Sequence, residues 1–256
     1  MKNAILKANK AGRKAVIPYI TAGYPNTDRF WYELKEIDAA GVDVIEIGIP
    51  FSDPVSDGPV IERASIEALK HNVSIKWLLD GLRERKGLYQ AKLVLMGYLN
   101  PFMQYGYERL AKDAAEVGVS AIIIPDVILE ESPEIREAFA LHNIGLITLI
   151  GPNTSLERMK EYAAYTRPDD FVYVVSVLGI TGHNSQNIEQ VTQTMIRARE
   201  AFGDIPLSLG FGLEHPSQLQ SLPKEAHPNA AVIGTALMQH IESGKPVIDF
   251  LKPWIG

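Results

Sequence analysis

The stretch IEIGIPFSDPVSDGP, residues 45–59, starts as an apolar run and continues as a loop rich in Asp, Pro and Gly. Short, continuously apolar runs are typical of strands that are covered on both faces, as in the parallel sheets of α/β proteins. One carboxylate, Glu46, lies inside the run. Because an ionised carboxylate is costly to bury alone, Glu46 must be paired, hydrogen-bonded or neutral. The stretch therefore predicts a buried parallel strand that carries an unusual acid.

Runs of the same kind recur along the whole chain, and amphipathic segments fill the gaps between them. Two of these segments stop at Gly41 and Gly118, as helices commonly do, and a third opens at Ser132, a candidate helix N-cap. The apolar runs cover residues 15–21, 42–49, 92–99, 120–126, 145–151, 171–177, 206–212 and 230–235.

This alternation of strands and helices over 256 residues predicts an α/β fold, a (β/α)8 TIM barrel. We expect residues 1–256 to form a single domain, with an extra N-terminal helix and a short extra helix near strand eight. The alternative is a doubly wound open sheet. That fold usually opens with a glycine-rich turn after its first strand, whereas the first turn here is TAGYPN, residues 21–26.

Composition excludes several classes of function. The net charge is −6, which disfavours nucleic acid as a partner because phosphate binding needs a basic surface. No run approaches the ~20 apolar residues of a membrane span, and the N-terminus lacks the apolar core of a signal peptide. The absence of Cys fits a cytoplasmic protein and excludes thiol nucleophiles. The histidines show no HExxH or other metal-ligand spacing, so no metal site is predicted. The sequence also has no GxSxG nucleophile elbow, so Ser/His/Asp catalysis has no support.

The acids of the opening stretch fall where a TIM barrel holds its active site, at the C-terminal end of a strand. Side chains alternate along a strand, so Glu46 should share the inward face with Val42 and Val44. Two interpretations remain open for Glu46: a structural salt bridge, or a general acid/base whose pKa is raised by an apolar pocket. Asp53 and Asp57 follow among turn residues, where an Asp often only shapes the loop, and their spacing does not separate them.

Glycine-bearing turns follow the late strands at residues 178–184, 210–214 and 233–241. In the last turn, Gly234 and Thr235 introduce a helical stretch whose free amide groups favour an anion. TIM barrels often bind phosphate with the loops after strands seven and eight and a short helix. One glycine alone can serve only its turn, but together the turns predict a phosphorylated substrate.

With these motifs the chain resembles the tryptophan synthase alpha chain family. The family signature is a strand ending in Glu, then Gly-x-Pro-Phe-Ser-Asp-Pro, a small residue and Asp-Gly-Pro, which residues 45–59 match. The family fold is a (β/α)8 barrel with an extra N-terminal helix. Further matches follow in family order: PYITAGYP (18–25), LMGYLNPF (95–102), IIIPDVILEES (122–132), GPNTSLERMK (151–160), GITG (179–182), SLGFG (208–212) and VIGTALM (232–238).

The resemblance implies a carbon–carbon lyase of L-tryptophan biosynthesis, which splits indole-3-glycerol phosphate into indole and glyceraldehyde 3-phosphate by a retro-aldol reaction. Carried over by motif, Glu46 is the general acid/base, and Asp57 rather than Asp53 is the acid at the indole nitrogen. Thr181 matches the threonine that bonds this aspartate when the site closes. The positions that match phosphate and substrate contacts are Gly182, Gly212, Gly234, Thr235, Phe211, Tyr173, Tyr19 and Tyr98.

The resemblance also implies a partner, a beta chain that carries pyridoxal phosphate in an α2β2 assembly, and no cofactor on this chain. In the loop after strand six, Val177 follows Ser176 where many members have an Arg nearby, which leaves loop closure and coupling to the beta chain open. The alternatives are a stand-alone lyase that releases free indole, a non-catalytic effector of a beta chain, and another phosphosugar enzyme. Retention of both acids argues against the effector.

Overall fold

Parallel strands form the centre of the molecule. The computed structural model describes residues 1–176, 185–210 and 212–256. Its strands are β1 (Ala15–Thr21), β2 (Val44–Gly48), β3 (Lys92–Met96), β4 (Val119–Ile123), β5 (Gly145–Leu146), β6 (Thr148–Ile150), β7 (Val172–Val175), β8 (Leu207–Gly210) and β9 (Ala230–Ile233). They form one sheet in the order β5-β4-β3-β2-β1-β9-β8-β7-β6.

The strands at the two ends of this order are one segment of chain. Ile147 separates β5 from β6, and its N–H donates to the carbonyl of Ile122 on β4 at 3.0 Å. The segment pairs with β4 up to this point and with β7 from Thr148 onward. The two short strands thus take the place of one barrel strand, and the predicted (β/α)8 barrel is confirmed with its fifth strand divided.

Helices surround the sheet and follow its strands. One helix precedes β1, and short helices lie on either side of β9 in the chain, as predicted. None of the helices in the described ranges combines the length and apolar character needed to cross a membrane. They are α1 (Lys2–Lys10), α2 (Thr27–Ala39), α3 (Pro59–Lys70), α4 (Ile75–Glu84), α5 (Leu99–Tyr105), α6 (Tyr107–Glu116), α7 (Pro133–Leu141), α8 (Leu156–Tyr165), α9 (Ser185–Phe202), α10 (Ser217–Gln220), α11 (Thr235–Glu242) and α12 (Val247–Ile255).

Helix ends follow the local sequence in most places. The Asn26 side chain accepts a hydrogen bond from the N–H of Arg29 at 2.9 Å and caps α2. Gly41 and Gly118 adopt φ of +86° and +88° just after α2 and α6. Such left-handed backbone suits glycine and ends a helix, as predicted.

Ser132 is the N-cap residue of α7, as predicted, but its side chain does not cap the helix. Its hydroxyl donates to the carbonyl of Leu129 at 2.7 Å and accepts from Nε of Arg136 at 2.9 Å. The hydroxyl therefore points back into the 3-10 turn Leu129–Glu131, and Pro133 begins α7 without a side-chain cap. A side-chain cap would need the hydroxyl oxygen as an acceptor, and Arg136 donates to that oxygen instead.

Two hydrophobic clusters divide the core. Ile45 and Ile47 of β2 belong to the outer cluster between strands and helices, whereas Val44 belongs to the cluster inside the barrel. The α1 side chain of Ile5 joins the inner cluster and closes the end of the barrel where the strands start. Val42 lies in the outer cluster because β2 begins only at Val44, so its predicted inward position is wrong.

Candidate active site

Glu46 lies in the second strand, inside the barrel. Its Cα pairs with Tyr19 on β1 and with Val94 on β3. The residue is 3% exposed, and its Oε2 atom has no hydrogen-bond partner among the described residues. Burial, followed by the charge of Asp57, raises the pKa of Glu46 to about 8. No described cation offsets this shift, so the salt-bridge interpretation gains no support.

The raised pKa of Glu46 keeps the side chain protonated at neutral pH. A buried acid with a free oxygen can donate its proton to a bound molecule and later take one back. Glu46 therefore has the properties of a general acid/base.

Asp57 lies in the loop between β2 and α3, and Tyr98 holds this loop in place. The Tyr98 hydroxyl accepts a hydrogen bond from the backbone N–H of Ser56 at 3.1 Å, and its ring packs 5.4 Å from that of Phe51. The pKa of Asp57 is raised to about 6, and burial is the largest cause. A hydrogen bond with the Tyr98 hydroxyl acts to lower this pKa, whereas the charge of Glu62 of α3 acts to raise it. Two acids with different pKa values can divide acid and base roles.

Asp53 has different surroundings from Asp57. It is exposed, and its Oδ2 accepts a hydrogen bond from the hydroxyl of Ser52 at 2.5 Å. Asp53 thus bonds within its own loop, as turn-shaping aspartates do. Of the two aspartates, only Asp57 is partly buried beside other side chains of the barrel end.

Two tyrosines fill the barrel next to Glu46, each over a glycine. A Cβ added to Gly48 would lie 2.7 Å from Cε2 of Tyr19, and one added to Gly210 would lie 2.7 Å from Cζ of Tyr173. At such distances, a side chain on either glycine would force the tyrosine ring to move. The apolar pattern of the strands does not predict this packing role, although a glycine inside an apolar strand often marks a close approach.

The predicted phosphate contacts are brought together in part. Gly234 precedes α11, which begins at the exposed Thr235, and a Cβ on Gly234 would lie 3.7 Å from Cβ of Tyr19. The start of α11 therefore lies next to Tyr19 of β1. Gly212 adopts φ +73°, which favours glycine. Of the other predicted positions, Thr181, Gly182, Phe211 and Val177 lie outside the described residues.

These features define a class of protein. A parallel α/β barrel holds two acids of raised pKa and a helix start at the C-terminal ends of its strands, where barrel enzymes hold their active sites. The described residues contain no group of three His, Asp or Glu side chains placed to hold a metal ion. The class is that of TIM-barrel proteins with carboxylates at the end of the barrel where barrel enzymes hold their catalytic residues.

Comparison with known proteins defines the family. The family model for the tryptophan synthase alpha chain matches residues 5–248. The tryptophan synthase alpha chain of Desulfovibrio desulfuricans is 52% identical over 254 residues, covering 99% of this chain and 98% of the relative. That of Nitratidesulfovibrio vulgaris is 49% identical, with 99% and 97% covered.

Solved structures agree with these sequence relatives. The crystal structure of the tryptophan synthase alpha chain from Legionella pneumophila matches with a TM-score of 0.82 and 29% identity, covering 99% of this chain and 93% of that one. A Mycobacterium tuberculosis tryptophan synthase structure matches with a TM-score of 0.84, 29% identity and coverage of 99% and 94%. The chain belongs to the tryptophan synthase alpha chain family. The predicted enzyme class, a carbon–carbon lyase, is confirmed, and the stand-alone alternative is not favoured.

Proposed function

We propose that the chain cleaves indole-3-glycerol phosphate into indole and glyceraldehyde 3-phosphate, as the alpha subunit of tryptophan synthase, with Glu46 and Asp57 as its catalytic residues. The assignment of residues rests on the burial of Glu46 in β2, where its Oε2 atom has no hydrogen-bond partner in the described part of the chain. Family membership supports the reaction, and the motif match supports the choice of residues.

The reaction needs the acid that Glu46 provides. Direct cleavage of the carbon–carbon bond would expel an indole carbanion, a poor leaving group. Protonation of indole C3 by Glu46 first gives an indolenine. The Glu46 carboxylate then takes the proton of the side-chain hydroxyl, the carbon–carbon bond breaks, and its electron pair restores the aromatic ring. The hydroxyl carbon becomes the aldehyde, and Glu46 regains its proton.

Asp57 would act as an ionised carboxylate, whereas Glu46 begins the reaction protonated. As the indolenine forms, positive charge develops at the ring nitrogen, and an ionised carboxylate near the N–H stabilises it. Asp57 has a pKa of about 6 and Glu46 one of about 8. Between these values Asp57 is ionised while Glu46 keeps its proton, which is the combination that the reaction needs.

The remaining predicted residues would hold the substrate. The first-turn amides of α11 at Gly234 and Thr235, with Gly212 and Gly182, would bind the phosphate, since helix starts favour anions. Tyr19, Tyr98, Tyr173 and Phe211 would line the indole pocket. Thr181 would bond Asp57 when the loops close.

A beta chain would dock on the face that carries the active site. Among the described residues, three large apolar side chains are exposed there: Val55 (79%), Met103 (52%) and Ile128 (51%). They follow β2, β3 and β4, which are neighbours in the sheet. Adjacent exposed apolar side chains often mark a protein interface. In the proposed cytoplasmic α2β2 enzyme, pyridoxal phosphate belongs to the beta chain, and this chain works through its own side chains.

The assignment of catalytic residues is tested by indole release from indole-3-glycerol phosphate. Glu46→Gln should lower turnover by about 10²–10⁴-fold because it removes the titrating group. Asp57→Asn should also lower turnover strongly, whereas Asp53→Asn, the matched control in the same loop, should lose far less. Near-normal turnover by a folded Glu46→Gln variant would refute the role of Glu46.

The same assay with a tryptophan synthase beta chain tests the partner. Indole formation should rise when the beta chain is added, because closure of the loops completes the site. Met103→Asp should weaken this response and leave activity without the partner intact. Full activity that the beta chain leaves unchanged would contradict the role as a subunit.

A further inference from the structure

The loop that carries Asp57 is held to the barrel by one buried tyrosine. Tyr98 follows β3 and is 2% exposed, and its hydroxyl accepts a hydrogen bond from the backbone N–H of Ser56 at 3.1 Å. Its ring packs against that of Phe51, with the ring centroids 5.4 Å apart. Phe51 lies near the start of the loop, and Ser56 directly precedes Asp57. The Tyr98 side chain therefore fixes the backbone that carries the Asp57 carboxylate.

The Tyr98 hydroxyl also has a hydrogen of its own to donate, because a phenol can accept one hydrogen bond and donate another. Burial is the largest cause of the raised pKa values of both Asp57 and Tyr98. The hydrogen bond between the two side chains lowers the pKa of Asp57 and adds to the rise for Tyr98. A hydroxyl that donates to an ionised carboxylate has these two effects, since it favours the charged form of the acid.

A second residue, Asp126, holds Tyr98 from another part of the barrel. Asp126 follows β4, and its Oδ1 accepts a hydrogen bond from the backbone N–H of Leu99 at 2.9 Å. Leu99 is the first residue of α5 and the neighbour of Tyr98 in the chain. A hydrogen bond from an amide to an ionised carboxylate is about twice as strong as one between neutral groups. Asp126 therefore fixes the backbone that carries Tyr98.

The other titratable groups that face Asp57 come from three elements. The charge of Glu62 on α3 opposes the ionisation of Asp57. After burial, the charge of Asp57 is the next cause of the raised pKa values of Glu46 on β2 and of Tyr19 on β1. Among these groups the Tyr98 hydroxyl acts as a donor that favours the ionised form of Asp57. The proposed reaction needs Asp57 in that form.

We propose that Tyr98 and Asp126 are positioning residues for Asp57. The Tyr98 hydroxyl accepts from the Ser56 amide and donates to the Asp57 carboxylate, which keeps this carboxylate ionised and in one place. Asp126 sets the position of Tyr98 through its hydrogen bond to Leu99. The inference rests on the proposed function for its catalytic consequence, because a misplaced or protonated Asp57 would not stabilise the positive charge at the indole nitrogen.

Tyr98→Phe tests the first step because it removes the hydroxyl and keeps the ring. Loss of the donor should raise the pKa of Asp57 from about 6 to about 7. The acid limb of the pH profile of kcat/KM, which reports the free enzyme, should move up by about one unit. At neutral pH kcat should fall about tenfold, because Asp57 is then both less ionised and less well placed.

The matched control is Tyr105→Phe. The Tyr105 hydroxyl donates to Oδ2 of Asp113 at 2.6 Å, between α5 and α6. This variant also loses a hydrogen bond from a tyrosine to an aspartate, but it should leave the pH profile unchanged.

Two substitutions at Asp126 test the second step. Asp126→Ala removes the acceptor of the Leu99 amide and should move the acid limb in the same direction as Tyr98→Phe, by less. Asp126→Asn keeps an oxygen that can accept this hydrogen bond, so it should return the limb close to that of the wild type. The control is Asp38→Ala, since Oδ1 of Asp38 accepts from two backbone amides just before β3, where the strands start. It should leave the limb unchanged.

Carboxyl ¹³C NMR titration of the substrate-free protein separates this inference from the proposed function. It reports the pKa of Asp57 without any turnover, and the signal of Asp57 is the one that Asp57→Asn lacks. A raised pKa in Tyr98→Phe supports the inference even if the wild type fails to cleave indole-3-glycerol phosphate. An Asp57 titration that is the same in Tyr98→Phe and the wild type would overturn it, whatever the activity. If Tyr98→Phe does not fold, the titration of Asp57 in Asp126→Ala decides in the same way.

Discussion

Glu46, Asp57 and Asp170 are three acids whose pKa values burial raises, yet only two belong to the candidate site. Asp170 is 2% exposed, its Oδ2 lacks a partner among the described residues, and burial raises its pKa to about 6. It lies against Gly145, where β5 starts, at the end of the barrel that α1 closes. In TIM barrels, residues at this end serve stability rather than catalysis. A raised pKa therefore indicates a site residue only when the acid lies at the C-terminal ends of the strands.

Burial of Glu46 should make the stability of the folded chain depend on pH. The group has a pKa of about 8 when folded and an ordinary value of 4.5, so the folded state binds its proton more tightly. The free energy of unfolding should therefore fall as pH rises from about 5 to about 8. Glu46→Gln cannot titrate, and over this range it should become more stable than the wild type by a few kcal/mol.

Urea unfolding at a series of pH values measures this difference. Glu108→Gln, which changes an exposed glutamate of α6, is the control and should track the wild type. If the free energy of unfolding of Glu46→Gln and of the wild type changes with pH in the same way, the pKa of Glu46 is not raised in the folded state.

At the scale of elements, β1 and β2 fit together through the contact of Tyr19 with Gly48. The register of the two strands places the large ring where the neighbouring strand has no side chain. Glu46 and Gly48 lie on the same face of β2, so a displacement of the Tyr19 ring would change the packing around the Glu46 side chain. The same arrangement recurs between Tyr173 of β7 and Gly210 of β8.

Gly48→Ala should therefore impair catalysis more than folding. Its Cβ would lie 2.7 Å from Cε2 of Tyr19, and the ring would have to move. Overpacking of this kind costs about 1–3 kcal/mol of stability. A misplaced ring at the acid should lower kcat by about 10²-fold, measured by indole release.

Gly81→Ala is the matched control for this change. A Cβ on Gly81 would lie 2.7 Å from Cη2 of Trp31, in the helix layer between α2 and α4. It should cost similar stability and leave kcat of the folded enzyme unchanged. Equal losses of kcat in the two variants would show that the contact of Tyr19 with Gly48 affects stability only and has no specific effect on catalysis.

Across the whole molecule, the two ends of the chain share one core. The outer cluster extends from Val16 of β1 to Trp254 of α12, and α12 packs against α2 and α11. We therefore expect residues 1–256 to form a single domain that unfolds cooperatively.

Thermal unfolding followed by two probes tests this expectation. Far-ultraviolet circular dichroism reports the helices and strands. Tryptophan fluorescence reports Trp31 and Trp77 near the start of the chain and Trp254 at its end. The two transitions should coincide, whereas separate midpoints would indicate more than one folding unit.

Local sequence patterns determined much of this molecule. The apolar runs and glycine stops predicted the alternation of strands and helices, because these patterns repeat within a few residues. A single carboxylate in an apolar run was enough to single out Glu46. The motif that follows it predicted the family, and with it the choice of Asp57 over Asp53.

Contacts between distant parts of the chain were decided only by the tertiary structure. Three such features depend on segments that are separate in sequence. They are the division of the fifth strand at Ile147, the packing of the Tyr19 ring over Gly48, and the contact of Tyr98 with the loop of Asp57. They depend on strand register and barrel closure, which no local period encodes. The same holds for the pKa of Glu46, because burial sets it and burial is a property of the folded barrel.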